Sequence, residues 1–472
     1  MSVATKSKHS TSKSEPSKPT ELAETTFDKF GAIGFRIAVA FLFIQMGILM
    51  AIADMPLFRM TRDGLTAAQA LMAELSMQAE EYPICLWYPS RQEEKGVIRN
   101  DEARISPGFT LYSSGHESAV LVIDDQGNEV HRWGIPFSQV WKSAPHIPRS
   151  VPDKAIYIRR FHAYENGDLL ALYETPTTTP NGRGLAKLDL QGKPLWTYDD
   201  CTHHDLTVGD DGRIYTLTQT IRSDAHPAFG YLPGPQIEEF VSVLSADGEE
   251  LQKLSLFELF GKSPFFRGIV TRTDHHGDIL HSNTVSLIGD GFASHYDAIS
   301  SGDLMVCLRN LNLAIVINLE EEEIVWATSG PWDFPHDPTP MDDGTILAFD
   351  NCFTWGTEVR SRVVQFDPVS RDIVWSFSGA DESLPLLSHI RSCQQRLPNG
   401  NTLITESDHG RLLEVTTEGE IVWEFVNPVR SDSKTVQTPV VSGGVRLTAD
   451  ELPFLAQPKQ LAWGSDHDDI AP

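Results

Sequence analysis

The sequence predicts an all-β protein, a six-bladed β-propeller, preceded by an N-terminal transmembrane helix and a linker helix. Two observations predict the propeller: a strand-turn-strand unit recurs six times, and Asn-Gly or Asp-Gly turns separate its short apolar runs. A third observation, a run of seventeen uncharged residues from Ile37 to Ala53, predicts the transmembrane helix. We predict five segments, which are a disordered cytoplasmic tail (1–28), a transmembrane anchor (29–55), a helical linker (56–106), the propeller (107–430) and a C-terminal extension (431–472).

The N-terminal segment is interpreted as a membrane anchor. Its tail is rich in Ser, Thr and Lys, which is typical of a disordered segment. A cleaved signal peptide is the alternative, but the apolar run is long for one and Asp54-Met55-Pro56 is a poor cleavage site. Six basic residues precede the run, whereas the near flank after it has only Arg59 and Arg62. The positive-inside rule therefore predicts a single-pass inner-membrane protein with a cytoplasmic N-terminus and a periplasmic propeller.

Strong helix formers follow the anchor. From Asp63 to Glu81, apolar residues such as Leu65, Leu71 and Leu75 recur at helical spacing. We expect an amphipathic helix, capped near Thr61, that links the anchor to the propeller or lies on the membrane surface.

Each repeated unit ends with an apolar strand, a turn of the Asp-x-x-Gly kind and a short run, which closes on Trp in five of the six copies. AVLVIDDQGNEVHRW is the first copy and LLEVTTEGEIVW is the last. The six copies end at Trp133, Trp196, Leu254, Trp326, Trp375 and Trp423. We expect the recurrent Trp to pack each blade against the next one.

A strand, a tight turn and a second strand precede each copy after the first, as in FHAYENGDLLALY. Each whole unit thus supplies four short antiparallel strands joined by hairpins, which is the composition of a propeller blade. The first copy has only GFTLYS before it. We therefore expect the C-terminal extension, in particular VSGGVRLT, to contribute a strand that closes the ring.

Histidine recurs at the start of the first strand of these units. The strand starts carry His162, His203-His204-Asp205, His281-Ser282-Asn283, His336-Asp337 and, just upstream of the last, His389. In a propeller the first strand of each blade lines the central channel, so these residues are expected to converge on one mouth of it, where propellers bind ligands. For His162 and His389, a hydrogen bond to a neighbouring loop is an equally good interpretation. Arg309 ends a strand of the same unit as His281 and is expected at the same mouth.

Clustered neutral histidines with Asn and Arg are compatible with two kinds of site. Imidazole is the most common metal-binding side chain, so a metal site is one interpretation. We prefer a site for an oxyanion, because the Arg fork matches phosphate or sulfate oxygens and His and Asn donate further hydrogen bonds. In such a site one His can act as the nucleophile and another as the acid or base. His336 is our candidate nucleophile.

Several segments carry a family resemblance in a fixed order. They are GFTLYSS with VLVIDDQGNEVHRW, HHDLTVGDDGRIYTL, HSNTVSL with LRNLNLAIVI, HDPTPMDDGTILAFDN with SRVVQFDP, and RLPNGNTLITES with GRLLEVTTEGEIVWEF. With them, the chain resembles the arylsulfotransferase family, the PAPS-independent aryl sulfate sulfotransferases, from about Gly108 to Val429. The order His-x-Asn, a later Arg, His-Asp and then Phe-Asp-Asn is more specific than any one segment.

The resemblance implies an exported six-bladed propeller that transfers a sulfuryl group from a phenolic sulfate ester to a phenolic acceptor. The implied reaction is ping-pong, proceeds through a sulfated histidine and requires no cofactor and no metal. Position by position, the resemblance makes His336 the nucleophile. It assigns binding of the sulfuryl oxygens and steering of the phenolic oxygen to His204, His281, Asn283 and Arg309.

Composition limits the partners, and two other functions stay open. A formal net charge of −27 without a long basic run argues against nucleic acid as a partner. The five cysteines have no CxxC pair or zinc spacing and are interpreted mostly as buried small residues. The first alternative function is a non-catalytic, membrane-tethered propeller that binds a partner or an anionic ligand. The second is a quinone- or metal-dependent oxidoreductase propeller, prompted by the Gly-x3-Trp endings at Trp196 and Trp423.

Overall fold

The computed structural model describes residues 26–52, 55, 60–61, 64–65, 72, 81–147, 150–176, 181–232, 234–265, 277–355, 358–379 and 382–456. The chain divides into two compact units, residues 1–72 and 73–472. A disordered tail was expected at residues 1–28, and residues 1–25 of it lie outside the described residues. Most positions of the linker helix expected between Asp63 and Glu81 also lie outside them.

The first unit contains the helix α1 (Thr26–Ile52). Its 27 residues extend about 40 Å, which exceeds the ~30 Å hydrocarbon core of a bilayer. The stretch Ile33–Met50 is long and apolar enough to cross a membrane, and side chains such as Phe41 and Leu42 are exposed. A signal sequence meets the same criteria, so α1 is a candidate span whose compartment and orientation rest on the sequence alone.

The second unit is built of short β-strands. In chain order the strands are β1 (Trp87–Pro89), β2 (Gly96–Asn100), β3 (Phe109–Ser114), β4 (Ala119–Ile123), β5 (Glu129–Gly134), β6 (Tyr157–Ala163), β7 (Leu169–Glu174), β8 (Gly182–Leu188), β9 (Pro194–Tyr198), β10 (Thr202–Val208), β11 (Ile214–Arg222), β12 (Gln236–Leu244), β13 (Glu250–Ser255), β14 (Ser282–Leu287), β15 (Leu304–Leu308), β16 (Leu313–Asn318), β17 (Glu323–Thr328), β18 (His336–Pro340), β19 (Ile346–Trp355), β20 (Glu358–Phe366), β21 (Ile373–Phe377), β22 (Cys393–Arg396), β23 (Thr402–Glu406), β24 (Arg411–Val415), β25 (Ile421–Val426), β26 (Gln437–Pro439) and β27 (Val441–Leu447).

These strands form the six blades of a propeller, as the sequence predicted. Four blades use consecutive strands in sequence order, namely β6 to β9, β10 to β13, β14 to β17 and β18 to β21. The last blade has the order β22, β23, β24, β25 and β2, and the first has the order β27, β3, β4 and β5. The inner strand of each blade contacts those of its neighbours around the channel. The predicted all-β, six-bladed fold is therefore confirmed.

The ring is closed by a strand from the C-terminal part of the chain. β27 pairs with β3 in an antiparallel register that places Val445 opposite Leu111. It takes the inner position of the first blade, where the sequence before the first repeat supplies no strand. The two ends of the propeller are thus joined by backbone hydrogen bonds, which removes an open edge.

The segment expected to be a helical linker up to residue 106 contains strands in its second half, and this expectation is corrected. β2 pairs with β25 and becomes the fifth strand of the last blade, and β1 pairs with β26. The outer strand of a blade leaves backbone N–H and C=O groups unpaired, and an extended segment that arrives there satisfies them. The pairing joins residues more than 300 positions apart, so local sequence does not reveal it.

The core lies between adjacent blades, and the recurrent Trp residues link them. Trp133 is fully buried and donates its Nε1–H to the carbonyl of Gly167 in the second blade at 2.9 Å. Trp423 is also fully buried and donates to the carbonyl of Asp125 in the first blade at 2.9 Å. Gly167 follows Asn166 in a hairpin turn and has a φ of 87°, which a glycine adopts without strain.

Short helices occupy several connections between strands. They are α2 (Phe137–Val140), α3 (Leu256–Lys262), α4 (Asp290–Ala293) and the 3₁₀ turns Asp153–Ala155, Pro227–Phe229, Arg309–Leu311 and Pro453–Ala456. The hydroxyl of Ser255 caps α3 by accepting a hydrogen bond from the N–H of Glu258.

Candidate active site

β-Bulges at one level of the channel determine which side chains meet there. Five of the six inner strands have a shift of register near their start, namely β6, β10, β14, β18 and β27. A bulge leaves a residue unpaired and turns the neighbouring side chains. The bulges place Arg159, His204, Asn283 and Asp337 at equivalent positions around the channel. Pro338 lies in the bulge of β18, where its missing N–H disrupts no regular pairing.

His204 and His281 contact each other across the boundary between two blades. Their ring centroids are 5.0 Å apart, and both residues have positive φ, 60° and 52°. A non-glycine residue is kept in this region only where its surroundings hold it. Nδ1 of His204 also lies 2.8 Å from Nδ1 of His203. Burial, together with the imidazoles of His281 and His203, lowers the pKa of His204 well below its ordinary value, so its ring is neutral at neutral pH.

His281 is paired with a carboxylate that the sequence analysis did not select. Its Nδ1 lies 2.5 Å from Oδ2 of Asp278, three residues earlier. Burial alone would raise the pKa of Asp278, but the charge of His281 and this hydrogen bond lower it. Glu239 lies behind this pair and accepts hydrogen bonds from the N–H of Ser282 on both of its oxygens. Burial and the charge of Asp278 raise the pKa of Glu239 well above its ordinary value.

His336 is held by Asn351, which ends the same hairpin. Nδ1 of His336 lies 2.7 Å from Oδ1 of Asn351. The amide of Asn351 is oriented by two other hydrogen bonds, because its Nδ2 donates to the carbonyls of Ser388 at 2.8 Å and Arg391 at 3.0 Å. Oδ1 therefore faces the imidazole as an acceptor, and Nδ1 of His336 must carry the hydrogen. In the neutral ring the lone pair then resides on Nε2.

The surroundings of His336 favour its neutral form. The residue is buried, and burial lowers its pKa well below the ordinary value. The positive charges of Arg309 and Arg159 lower this pKa further, more than the hydrogen bond to Asn351 raises it. His336 thus offers an unprotonated Nε2 at neutral pH, as a nucleophile requires.

Asn283 and Arg309 lie beside the histidines. Nδ2 of Asn283 donates to the carbonyl of Pro335 at 2.8 Å and so fixes the backbone that precedes His336. The N–H of Arg309 donates to the carbonyl of His281 at 3.1 Å, and its guanidinium lies over the ring of Phe334 at 4.6 Å. Arg309 therefore brings a positive charge to this mouth of the channel, as the sequence predicted.

Sequence reasoning selected neither Arg159, whose charge acts on His336, nor Arg391, whose carbonyl holds the amide of Asn351. Arg159 is buried, donates to the carbonyl of Ser442 at 2.9 Å and lies 3.5 Å from a carboxylate oxygen of Glu174. Arg391 donates from Nε to the hydroxyl of Tyr157 at 3.2 Å. A sequence signal for Arg159 is the Arg-Arg pair in Ile-Tyr-Ile-Arg-Arg at the start of β6, where the bulge lies three residues before His162.

Comparison with known protein families shows to which family this propeller belongs. A model of the Arylsulfotransferase (ASST) family matches residues 160–428, more than half of the chain. The chain belongs to the arylsulfotransferase family. The match includes His204, His281, Asn283, Arg309 and His336, and membership supports a sulfotransferase-like enzyme that acts on small aryl substrates at the level of the family.

Solved structures provide distant matches to this arylsulfotransferase family member. A protein of unknown function from Bacteroides caccae is 14% identical, with a TM-score of 0.44 and coverage of 71% of this chain and 99% of that chain. A streptogramin B lyase is also 14% identical, with a TM-score of 0.38 and coverage of 74% and 90%. The search of curated proteins found no match.

Two of the histidines found at strand starts, His162 and His389, have different surroundings from His204, His281 and His336 in this arylsulfotransferase family member. His162 lies further along β6, where its ring packs against Tyr164 with centroids 4.7 Å apart. His389 precedes β22, and its side chain is 59% exposed and 3.7 Å from the carboxylate of Asp408. Of the two interpretations given for these histidines, a contact within their own blade is the one observed. Within the described ranges, no group of three or more His, Cys, Asp or Glu side chains is arranged to hold a metal.

An ion-pair layer crosses the channel next to the histidines. Arg160 donates from Nε to Asp205 and from Nη2 to Asp337, both at 2.5 Å, and we call these three residues the Arg160 bridge. Asp205 follows His204 and Asp337 follows His336, so the bridge connects the two bulges that carry the histidines. A cavity of about 930 Å³ extends beyond it along the inner strands, lined by the bridge and by residues that include His162 and Lys187.

Proposed function

We propose that this protein transfers a sulfuryl group from a phenolic sulfate ester to a phenolic acceptor through a sulfohistidine at His336. The observation that carries the proposal is the contact of Asn351 with Nδ1 of His336, which leaves the lone pair of a neutral ring on Nε2. Membership of the arylsulfotransferase family supports the same reaction class.

In the first half of the proposed reaction, Nε2 of His336 attacks the sulfur of the donor. The Nε2–S bond forms as the bond from sulfur to the phenolic oxygen breaks, and the electron pair of that bond goes to the oxygen. His281 gives this oxygen a proton, and the phenol leaves. Asp278 orients His281 for this role, because its carboxylate lies 2.5 Å from Nδ1 and leaves Nε2 to face the phenolic oxygen.

Positive charge and N–H donors stabilise the transferring group. Arg309 and Arg159 both lie close enough to His336 to lower its pKa. Their positive charges therefore also stabilise negative charge that develops beside Nε2 during the transfer. Fixed donors aimed at developing charge commonly provide about 10²–10³-fold of rate each. We assign this role to Arg309 and His204, whereas Asn283 has one amide hydrogen committed to Pro335 and positions His336.

In the second half, a phenolic acceptor attacks the sulfur of the sulfated ring. Nδ1–H remains bonded to Asn351, so the sulfated imidazole is a cation and a good leaving group. Neutral His281 takes the proton of the acceptor hydroxyl as the new S–O bond forms and the Nε2–S bond breaks. The enzyme returns to its starting protonation state, and no proton is lost to solvent.

The position in the cell is part of the proposal. We infer that α1 crosses the inner membrane once with the N-terminus in the cytoplasm, because basic residues concentrate before the span. The propeller and its small aryl substrates would then meet in the periplasm. Protease added to spheroplasts that express the full chain should degrade the propeller and spare an epitope at the N-terminus. Protection of the propeller would contradict this orientation.

The reaction is tested with 4-nitrophenyl sulfate as donor and phenol as acceptor, using the full chain in detergent. Without acceptor, the protein should release about one 4-nitrophenol per active site, and mass spectrometry should find a sulfated peptide that contains His336. His336→Ala should lower turnover by about 10³-fold or more. His162→Ala is the matched control, because this imidazole lies in the channel outside the cluster, and it should retain turnover.

Two outcomes would contradict the proposal. One is full turnover by His336→Ala without a sulfated His336 peptide in the wild type. The other is binding of 4-nitrophenyl sulfate that depends on Arg309 but leads to no turnover. That second result would favour a non-catalytic propeller that binds an anionic ligand. Arginines that gather at one site of an otherwise acidic chain are compatible with this function too.

A further inference from the structure

Phe334 has a backbone conformation that suits glycine or asparagine better than an aromatic residue. Its φ is 54°, in the left-handed region, where a bulky side chain is an outlier. It also precedes Pro335, and proline favours extended backbone in the residue before it. Such a conformation persists only where the surroundings hold it, and it often marks a functional site. The inference that follows rests on the proposed function, because it concerns how Arg309 meets the sulfuryl group.

Asn312 holds this stretch from the connection between β15 and β16 of the neighbouring blade. Its Oδ1 accepts the N–H of Phe334 at 2.7 Å, its Nδ2 donates to Oδ1 of Asp333 at 2.9 Å, and its carbonyl accepts Nε1–H of Trp332 at 3.1 Å. Asn312 also ends the 3₁₀ turn that begins with Arg309, and its N–H donates to the Arg309 carbonyl at 3.1 Å. The same contacts thus bring Phe334 and Arg309 together.

Packing of the core does not account for an aromatic side chain at this position. Phe334 is partly buried, and it belongs to none of the apolar clusters that the described residues form between the blades. Its ring instead contacts the guanidinium of Arg309, which lies over it at 4.6 Å from the centroid. The negative face of a phenyl ring attracts a cation in this position. What Phe334 provides is therefore the face of its ring.

A second residue holds the same guanidinium from its edge. Nη1 of Arg309 donates to Oδ1 of Asn310 at 3.2 Å, and Nδ2 of Asn310 donates to the carbonyl of Asp278 at 2.8 Å. Among the described residues, Nε and Nη2 of Arg309 have no hydrogen-bond acceptor. Both atoms carry hydrogens, so they are available to an anionic ligand. An arginine has many rotamers, and a side chain that is already fixed loses less entropy when it binds.

We propose that Phe334 is a positioning residue, whose ring holds the Arg309 guanidinium so that Nε and Nη2 donate to the oxygens of the sulfate ester. A planar guanidinium binds such an anion through two parallel N–H groups, which requires the correct orientation of its plane. Phe334 and Asn310 fix that plane from the face and from the edge. The left-handed backbone of Phe334 is retained because it puts the ring beside Arg309, two residues before His336.

Binding of 4-nitrophenyl sulfate tests the proposal without any need for turnover. The full chain in detergent carries His336→Ala, so that the ester stays intact, and titration calorimetry measures Kd. Phe334→Leu keeps an apolar side chain but has no aromatic face. It should weaken binding by about 10-fold, which is the size of a partly desolvated contact between a cation and a ring. Phe334→Tyr keeps the face of the ring and should restore most of the affinity.

The effect of the ring should disappear once the guanidinium is removed. In a protein that also carries Arg309→Met, Phe334→Leu should change Kd by less than about twofold, because the ring acts through Arg309. A loss of about 10-fold in both backgrounds would show that Phe334 contacts the ester directly, and it would overturn the positioning role. Equal affinities of Phe334→Leu and the protein with Phe334, both with Arg309 intact, would overturn it as well.

Phe334→Gly separates the role of the ring from the stability of the fold. Glycine adopts this φ without strain, so the variant should melt within about 4 °C of the protein with Phe334 and still lose affinity as Phe334→Leu does. Glu322→Gly is the matched control, because Glu322 has the same φ of 54° in the exposed turn between β16 and β17. This control should keep full affinity. Full affinity in Phe334→Gly would contradict the proposal.

The outcomes for the two proposals can be told apart. Absence of turnover in the wild type would count against the sulfotransferase function, and the Kd values would still decide the role of Phe334. Failure of 4-nitrophenyl sulfate to bind a folded protein in which Phe334 and Arg309 are intact would overturn the role proposed for Phe334.

Discussion

Nδ1 of His336 lies 2.7 Å from Oδ1 of Asn351, and the Asn351 amide is anchored to the carbonyls of Ser388 and Arg391 in the next blade. The two residues occupy opposite strands of one hairpin, β18 and β19. A contact between two blades thus determines which nitrogen of the candidate nucleophile is basic. The arrangement corresponds to the role of a buried acceptor that orients a catalytic imidazole.

Replacement of Asn351 should impair the reaction through the tautomer of His336. Asn351→Leu removes the acceptor at similar volume, so Nδ1 and Nε2 can both take the hydrogen. We expect kcat to fall by about 10²–10⁴-fold, as in other sites where an imidazole is held in the wrong tautomer. Steady-state kinetics with 4-nitrophenyl sulfate measure it. An Asn351→Leu variant that folds and retains wild-type kcat would disprove the orienting role.

Removal of the Arg309 charge should shift the pH profile. Arg309 lowers the pKa of His336, so in Arg309→Met this pKa rises. Protonated His336 cannot attack, and activity is lost as pH falls through the pKa. The acid limb of kcat/KM should therefore move to higher pH in Arg309→Met, and Arg309→Lys should restore most of the profile. An acid limb that stays in place would mean that Arg309 does not act on His336.

The Arg160 bridge should stabilise the fold, because its one guanidinium neutralises two carboxylates at once. Arg160→Met leaves two carboxylates, Asp205 and Asp337, without their cation, and removal of one partner from a buried ion pair costs about 3–5 kcal/mol. Chemical unfolding should show this loss, and the triple variant with Asp205→Asn and Asp337→Asn should recover most of it. Lys187→Met is the control.

Lys187 lines the same cavity but pairs only loosely with Asp168, at 3.8 Å. Its removal should cost less than about 1 kcal/mol. Equal losses for Arg160→Met and Lys187→Met would contradict a special role for the bridge.

The recurrent Trp residues should differ in what they contribute. Trp133 is fully buried, so Trp133→Ala should lower the free energy of unfolding by about 3–5 kcal/mol. Trp375 closes a repeat in the same way, but its Nε1–H bonds to the Thr417 carbonyl at an exposed position, and its ring is only partly buried. Trp375→Ala should therefore cost clearly less. The same loss in both variants would argue against burial as the source of the effect.

The blades could be counted from the sequence because their signals are local. The Asn-Gly and Asp-Gly turns, the alternating apolar positions and the closing Trp all lie within one hairpin or one repeat. His204, His281 and His336 were found for a related reason, because each stands at the same place in its own repeat. Arg159 was missed because the bulge of β6 shifts the equivalent position three residues ahead of His162.

The sequence by itself determined the six repeats, the apolar N-terminal segment and the histidines at the repeated strand starts. Only the tertiary structure decided which of these histidines meet and which nitrogen of His336 is free. It also decided that β2 joins the last blade and that Arg160 bridges Asp205 and Asp337. The physical reason is distance along the chain. Turn chemistry and periodicity act over a few residues, whereas Asn351 and Arg160 acquire their roles from hydrogen bonds to other blades, which exist only once the blades have closed into a ring.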